Sequence, residues 1–307
     1  MKRIIFALAA AMICLAATAQ EQASRTMRIF YGGQVVYMRD VAQMDSINFL
    51  LNAGEGGDEG TEEYFTDDLG GGVTLKMRKV EGGTFSMGAT SEQGSDAYDR
   101  EKPVHTVTLD GFYMGETEIT QAQWYAVMGT TLEQQRDKAN PSFSLYGKGD
   151  NYPMYYVSWE EAQAFCAKLS EMTGRNYVLP TEAQWEYAAR GGKYSKGTKY
   201  AGSNTINEVA WYTGNSNSLN HPVAQKESNE LGLYDMSGNV SEWCLDRYGS
   251  YSSSSATNPT GPSAGSDRVS RGGSWYGGAV SCRVSYRNYD SPGNRYSNFG
   301  FRVVVLP

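Results

Sequence analysis

Apolar and polar residues alternate with two different periods along this chain, and the period changes where capping residues stand. From Val73 to Val80 they alternate one by one, which predicts a strand. Gly82-Gly83 reads as a turn, and Thr84–Gly88 as a second strand. His105–Leu109 and Phe112–Glu116 predict a further pair. Thr120 is a suitable N-cap for a helix over 121–128, in which Trp124 and Met128 share one face. Ser158 and Glu161 have capping-box spacing, so a second helix runs to about Thr173 and stops at Gly174. Thr181 opens a third, TEAQWEYAARGG, with Ala183, Tyr187 and Ala188 facing inward and Gly191-Gly192 ending it. Trp185 and Glu186 are expected to fix this helix to a sheet. Beyond residue 193 helical periodicity fades into turns, short strands and polar loops, of which the Ser-rich stretch Ser250–Ser255 is one. No repeat with a period of about 20–50 residues is visible.

The segments before residue 71 follow other patterns. Lys2 and Arg3 precede an apolar run, Ile4–Ala17, and the small residues Ala17-Thr18-Ala19, so residues 1–19 read as a secretory signal peptide. Export to the periplasm, the cell surface or the medium is expected. Met12-Ile13 before Cys14 is not a lipid-anchor pattern, and no run is suited to a lasting membrane span. Residues 26–52 read as a small β-rich module, a hairpin about Gly32-Gly33 followed by an irregular stretch and a strand. Such a module is too small for a core of its own. Residues 53–70 read as an acidic, Gly-rich linker, and 71–307 as one large domain.

Charge and composition narrow the function. A net charge of −7 without Lys/Arg clusters excludes a nucleic-acid footprint. The 35 Gly and 22 Tyr suit a loop-rich fold better than a helical bundle. His105 and His221 lack metal-ligand spacing and read as loop histidines. Removing the signal leaves Cys166, Cys244 and Cys282, an odd set for an oxidising compartment, so at least one thiol is free or pairs with another chain.

The segments GGTFSMG (82–88), GFYMGETEITQAQWYAVM (111–128), VSWEEAQAFC (157–166), LPTEAQWEYAARGG (179–192), GLYDMSGNVSEW (232–243), RGGSW (271–275) and NFGFRVV (298–304) occur in this order. Together they resemble the formylglycine-generating enzyme (sulfatase-modifying factor) family. The resemblance implies an irregular α+β domain related to the C-type lectin fold, low in regular secondary structure, here preceded by the small β-rich module. Two adjacent glycines in RGGSW suit a bend or a close backbone approach.

Asp235 to Glu242 sets two carboxylates about a Gly turn. Unaided, that spacing describes a turn with exposed acids. The resemblance implies a calcium site instead, with side-chain oxygens from Asp235 and Glu242 and carbonyls from Gly238 and Val240. The family's second calcium site is not expected, because Glu208–Pro222 matches poorly. The resemblance also implies two copper-binding thiolates after the GGS motif, at the positions of Gly277 and Cys282. Glycine offers no ligand, and one thiolate does not make the linear pair that suits Cu(I). Gly278, Ser281 and Ser241 depart from the enzymes' Arg, Tyr and Trp, and only Ser274 fits. Copper is therefore not expected. If any catalytic residues exist, they are Cys282 and Ser274. Cys282 has three readings: a reactive thiol activated by Arg271 or Arg283, a buried thiol, or a Cys244–Cys282 disulfide, the last favoured for an exported domain. Cys166 would be the odd thiol, buried with Ala162 and Leu169. Its partner position in some relatives is Val303 here.

Residues 276–298 are rich in Tyr, Ser, Gly and Asn, the composition of antibody paratopes. The expected contact residues are Trp275, Tyr276, Tyr286, Tyr289, Asp290 and Tyr296. Arg283, Arg287 and Arg295 either anchor a ligand or lock the fold. The frame RGGSW…CRVS.RN…P.NR…GFRVV also resembles the variable proteins of diversity-generating retroelements. The leading expectation is an exported, non-catalytic protein that binds a protein or a glycan. The rivals are a formylglycine-type or other oxygen/thiol enzyme acting through Cys282, and a retroelement-diversified binder.

Overall fold

The computed structural model describes the backbone of residues 26–31 and 34–40, and residues 63–306. The signal segment, residues 41–52 of the N-terminal module and linker residues 53–62 lie outside the described residues. The chain divides into two units, Met1–Asp58 and Glu59–Pro307. In the first, Thr26–Tyr31 pairs antiparallel with Gln34–Asp40, the hairpin expected about Gly32-Gly33.

In the second unit, the expected linker gives way to structure seven residues before position 71. Tyr64–Gly70 is a strand, paired antiparallel with Val73–Val80. Its acids conceal the alternation: Phe65, Asp67 and Leu69 face inward together. Asp67 accepts the Tyr177 hydroxyl at 2.6 Å and pairs with Arg175 at 3.2 Å, so its charge is matched on the sheet. Phe65 meets Tyr113 edge-on at 4.9 Å. A five-stranded sheet follows in the spatial order Tyr64–Gly70, Val73–Val80, Phe112–Gly115, Val304–Val305, Tyr177–Val178. Gly83–Met87, His105–Leu109 and Ala256–Thr257 form a second sheet. A third joins Arg287–Asp290, Arg268–Arg271, Ser241–Arg247 and Phe299–Gly300.

The helices α1 (Gln121–Met128), α2 (Leu132–Ala139), α3 (Trp159–Thr173) and α4 (Glu182–Ala189) all begin with capping boxes, from Thr120, Thr131, Ser158 and Thr181. Each box satisfies two backbone donors that a helix start leaves open. α2 is not readable from an apolar period, because LEQQRDKA buries only Leu132 and Gln135. α1 and α3 pack through Trp124, which stacks on Phe165 at 5.6 Å, with Phe301 edge-on to both. Cys166, Ala162 and Leu169 are buried on α3 as expected, and Ala183, Tyr187 and Ala188 on α4. Among the described residues no helix is long and apolar enough to cross a membrane.

Among the described residues, four arginines are almost completely buried. Arg271, Arg283, Arg287 and Arg302 are each at most 2% exposed. They pair with Glu186, Glu101, Glu182 and Glu242, all themselves buried. Removing one partner of such a pair leaves an unmatched charge in a dry site and costs about 3–5 kcal/mol.

Candidate functional site

The C-terminal segment is held by its glycine turn. Gly273 has φ +74, and a Cβ there would lie 2.6 Å from the Ser281 carbonyl. This close approach folds 274–282 back on itself. Ser274 is buried, and its Oγ accepts the Asn298 amide at 3.1 Å. Trp275, expected at the surface, is only 3% exposed. It stacks on Tyr146 at 4.8 Å, and its indole N–H donates to the Ser297 carbonyl at 3.2 Å. A large ring with its one donor satisfied is cheaper inside than out, so Trp275 is part of the core and not a contact residue. Tyr276 stands 73% exposed beside it.

The remaining expected contact residues fall into separate groups. Asn294 donates to Asp290 and to the Tyr296 hydroxyl, bringing Asp290 and Tyr296 together. Tyr296 is 40% exposed, and Ser297 next to it links this group to Trp275. Tyr289 is 42% exposed and stacks on Tyr248 at 4.1 Å. Tyr286 packs elsewhere, against Tyr98 at 6.0 Å and over the Arg100 guanidinium at 4.7 Å. Arg283 and Arg287 lock the fold instead of pointing outward, and Arg295 pairs with Glu161 at 2.9 Å. Tyr98, Arg100, Tyr146 and Tyr248 escaped the sequence reading. They come from loops far away in the chain, and no local pattern marks them.

The thiols do not pair. Cys166, Cys244 and Cys282 are all free and buried, which corrects the expected Cys244–Cys282 bridge. Cys244 packs among Trp185, Met236 and Val269, whereas Cys282 packs with Tyr200 and Val209 in a different cluster. Burial pushes the Cys282 thiol up to about 12. The cations that would lower it are committed, Arg283 to Glu101 and Arg271 to Glu186. Cys282 is therefore not a reactive thiol in this state. At Gly277 a Cβ would sit 2.5 Å from the Ser281 hydroxyl, so a side chain there would have to displace that hydroxyl.

The Asp235–Glu242 loop encloses a surplus of buried carboxylates. Glu242 is bound by Arg302 through two bonds of 2.7 and 2.8 Å, and its Oε2 also accepts the Trp185 N–H at 2.8 Å. Asp235 Oδ2 accepts the Ala224 N–H at 2.7 Å, but Oδ1 is buried without a partner. Gly238 has φ +86, and a Cβ there would meet the Trp211 carbonyl at 2.3 Å. Glu118, unread in the sequence, receives the Val240 N–H at 2.9 Å and the Asn239 amide at 2.7 Å. Burial, then the charges of Asp235 and Glu242, raise Glu118 well above the usual carboxylate range. Burial likewise pushes Asp235 up to about 6. Three carboxylates thus share one guanidinium. The orphaned Asp235 oxygen and the surplus charge fit a hard cation. Glu242 fits less well, being saturated by Arg302 and Trp185. Among the described residues no three His, Cys, Asp or Glu side chains are grouped to hold a metal by themselves.

Residues 73–306 match the family model described as the sulfatase-modifying factor enzyme 1-like domain. The chaperone protein LppX of Paenibacillus barcinonensis is 33% identical over 275 residues, spanning 73% of this chain and 87% of that protein. The formylglycine-generating enzyme of Streptomyces coelicolor is 30% identical over 282 residues, spanning 74% and 88%. Among solved structures, Treponema denticola variable protein 1 superposes with a TM-score of 0.69 at 33% identity, covering 80% of this chain and 100% of that one.

Proposed function

Because this chain belongs to the sulfatase-modifying factor enzyme 1-like domain family, we propose that it uses the scaffold, after export, to bind a protein or glycan rather than to oxidise cysteine. The observation that carries this reading is the exposure of Tyr276, Tyr289 and Tyr296 on a segment whose arginines are all engaged by carboxylates. Tyrosine offers a broad amphipathic face at small entropic cost. The likeness to Treponema denticola variable protein 1 supports the same reading. So does the buried, protonated Cys282, whose would-be copper partner is Gly277. The rival is formylglycine-type oxidation, favoured by the identity to the Streptomyces coelicolor enzyme and by Ser274.

The test pairs a glycan array and a surface-protein pull-down with the triple variant Tyr276→Ala, Tyr289→Ala, Tyr296→Ala. Binding by the wild type and its loss in the variant, at unchanged melting temperature, is the expected result. Conversion of a sulfatase-derived cysteine peptide to an aldehyde with Cu(I), abolished by Cys282→Ser, would instead establish the enzyme.

Calcium belongs to this proposal. Asp235, with the Gly238 and Val240 carbonyls, would hold the ion, which supplies positive charge against Asp235 and Glu118. An ion that binds only the native state raises its melting temperature. Millimolar calcium should raise it for the wild type and not for Asp235→Ala. An equal melting temperature in calcium and in chelator sinks the site.

A further inference from the structure

Helix α4 and the loop 249–262 line a half-open cavity of about 260 Å³. That is room for roughly eight water molecules at about 30 Å³ each, and less than a drug-sized site. Its floor is made by Asp246, Glu182 and Arg287, and its walls by Tyr251 and His105, with Ser250 and Ser252 at the mouth. Tyr251 is oriented by its hydroxyl, which donates to Glu182 at 3.1 Å, and its ring lies 4.7 Å from that of His105.

The floor is unbalanced. Arg190, Arg271 and Arg287 face Glu92, Glu186 and Glu182. Asp246 is a fourth carboxyl, 4% exposed, and among the described residues no cation lies in ion-pair contact with it, the charges of Arg287 and Arg268 reaching it only from farther away. The Glu182 N–H donates to its Oδ2 at 2.9 Å, and among the described residues no side chain donates to either oxygen. Burial, and then the charge of Glu182, push its carboxyl up to about 7. A buried carboxylate with no counter-ion in contact is costly, so a cation entering the cavity would be favoured. A bare metal ion needs several oxygen ligands, and no such group is assembled there. An organic ammonium needs less: one carboxylate, hydroxyls to accept its remaining N–H bonds, and an aromatic wall.

We propose that the Asp246 cavity binds a small organic ammonium ion, with Asp246 as its counter-ion and the Ser250 and Ser252 hydroxyls as further acceptors. Calorimetry at pH 8 tests this on the full chain, with 1,4-diaminobutane as the probe and 1,4-butanediol as the uncharged control. The diamine should give saturable heat and the diol none. Asp246→Asn, which keeps the acceptor for Glu182, should weaken the diamine more than about tenfold, the scale of one bond to a charged group. Ser252→Trp, at an exposed position, should block the mouth and abolish binding. Should Asp246→Asn fail to fold, Ser252→Trp decides alone. Absence of saturable heat, equal heats from diamine and diol, or undiminished binding in the folded variants overturns the proposal.

Discussion

Within the stretch from 271 to 302, arginines and tyrosines meet opposite fates. Arg271, Arg283, Arg287 and Arg302 are buried and each holds a glutamate from an earlier segment. Tyr276, Tyr289 and Tyr296 stand at the surface, and the amphipathic ring suits that place. Charge, the chemistry that ordinarily seeks water, builds the frame here, and aromatic rings meet the solvent. The lesson is a division of labour. A segment pinned by charge pairs at several points keeps its backbone while the residues between them are exchanged.

That contrast sets an order of sensitivity. The largest effect is expected from Arg283→Ala, which leaves Glu101 in the interior without its cation. It should cost about 3–5 kcal/mol, or a fall of roughly 6–20 °C in Tm at about 2–4 °C per kcal/mol. A loss below about 1 kcal/mol would break the comparison, since the pair would then be dispensable. An intermediate effect belongs to Trp275→Phe, which keeps a ring against Tyr146 but drops the bond to Ser297. About 1–2 kcal/mol in urea unfolding is expected. The smallest is Tyr276→Ala, within about 0.5 kcal/mol of wild type in the same assay, although it removes part of the proposed ligand surface. A Tyr276 loss as large as that of Arg283 would place the two residues in one class.

The fold was legible where its signals are local. Thr120, Ser158 and Thr181 announce three helices because a capping box needs only four adjacent residues. α2 was not, since a surface helix of polar residues buries too little to leave a period. The strand at 64–70 hid behind Asp67, whose charge is matched by Arg175, far along the chain. In the site, the glycine at 277 could be read directly, but the fate of Trp275 could not. A tryptophan beside Tyr, Ser and Gly has the composition of a contact surface, and only the position of Tyr146 turns it inward. The same holds for Glu118 and for Asp246, whose unusual environments depend on carboxylates brought together from distant segments. The cysteines misled for a related reason: compartment chemistry favours pairing, and packing in different clusters forbids it.

Val304–Val305 lies between Phe112–Gly115 and Tyr177–Val178 in the five-stranded sheet. Those neighbours are made long before it, and they have no ladder to each other without it. During synthesis the two flanks wait with open edges, and the sheet closes only when residues 304–305 arrive. The loop to be closed is among the longest the chain contains, and its entropy must be met before the ladder rewards it, so this sheet is a slow one to complete.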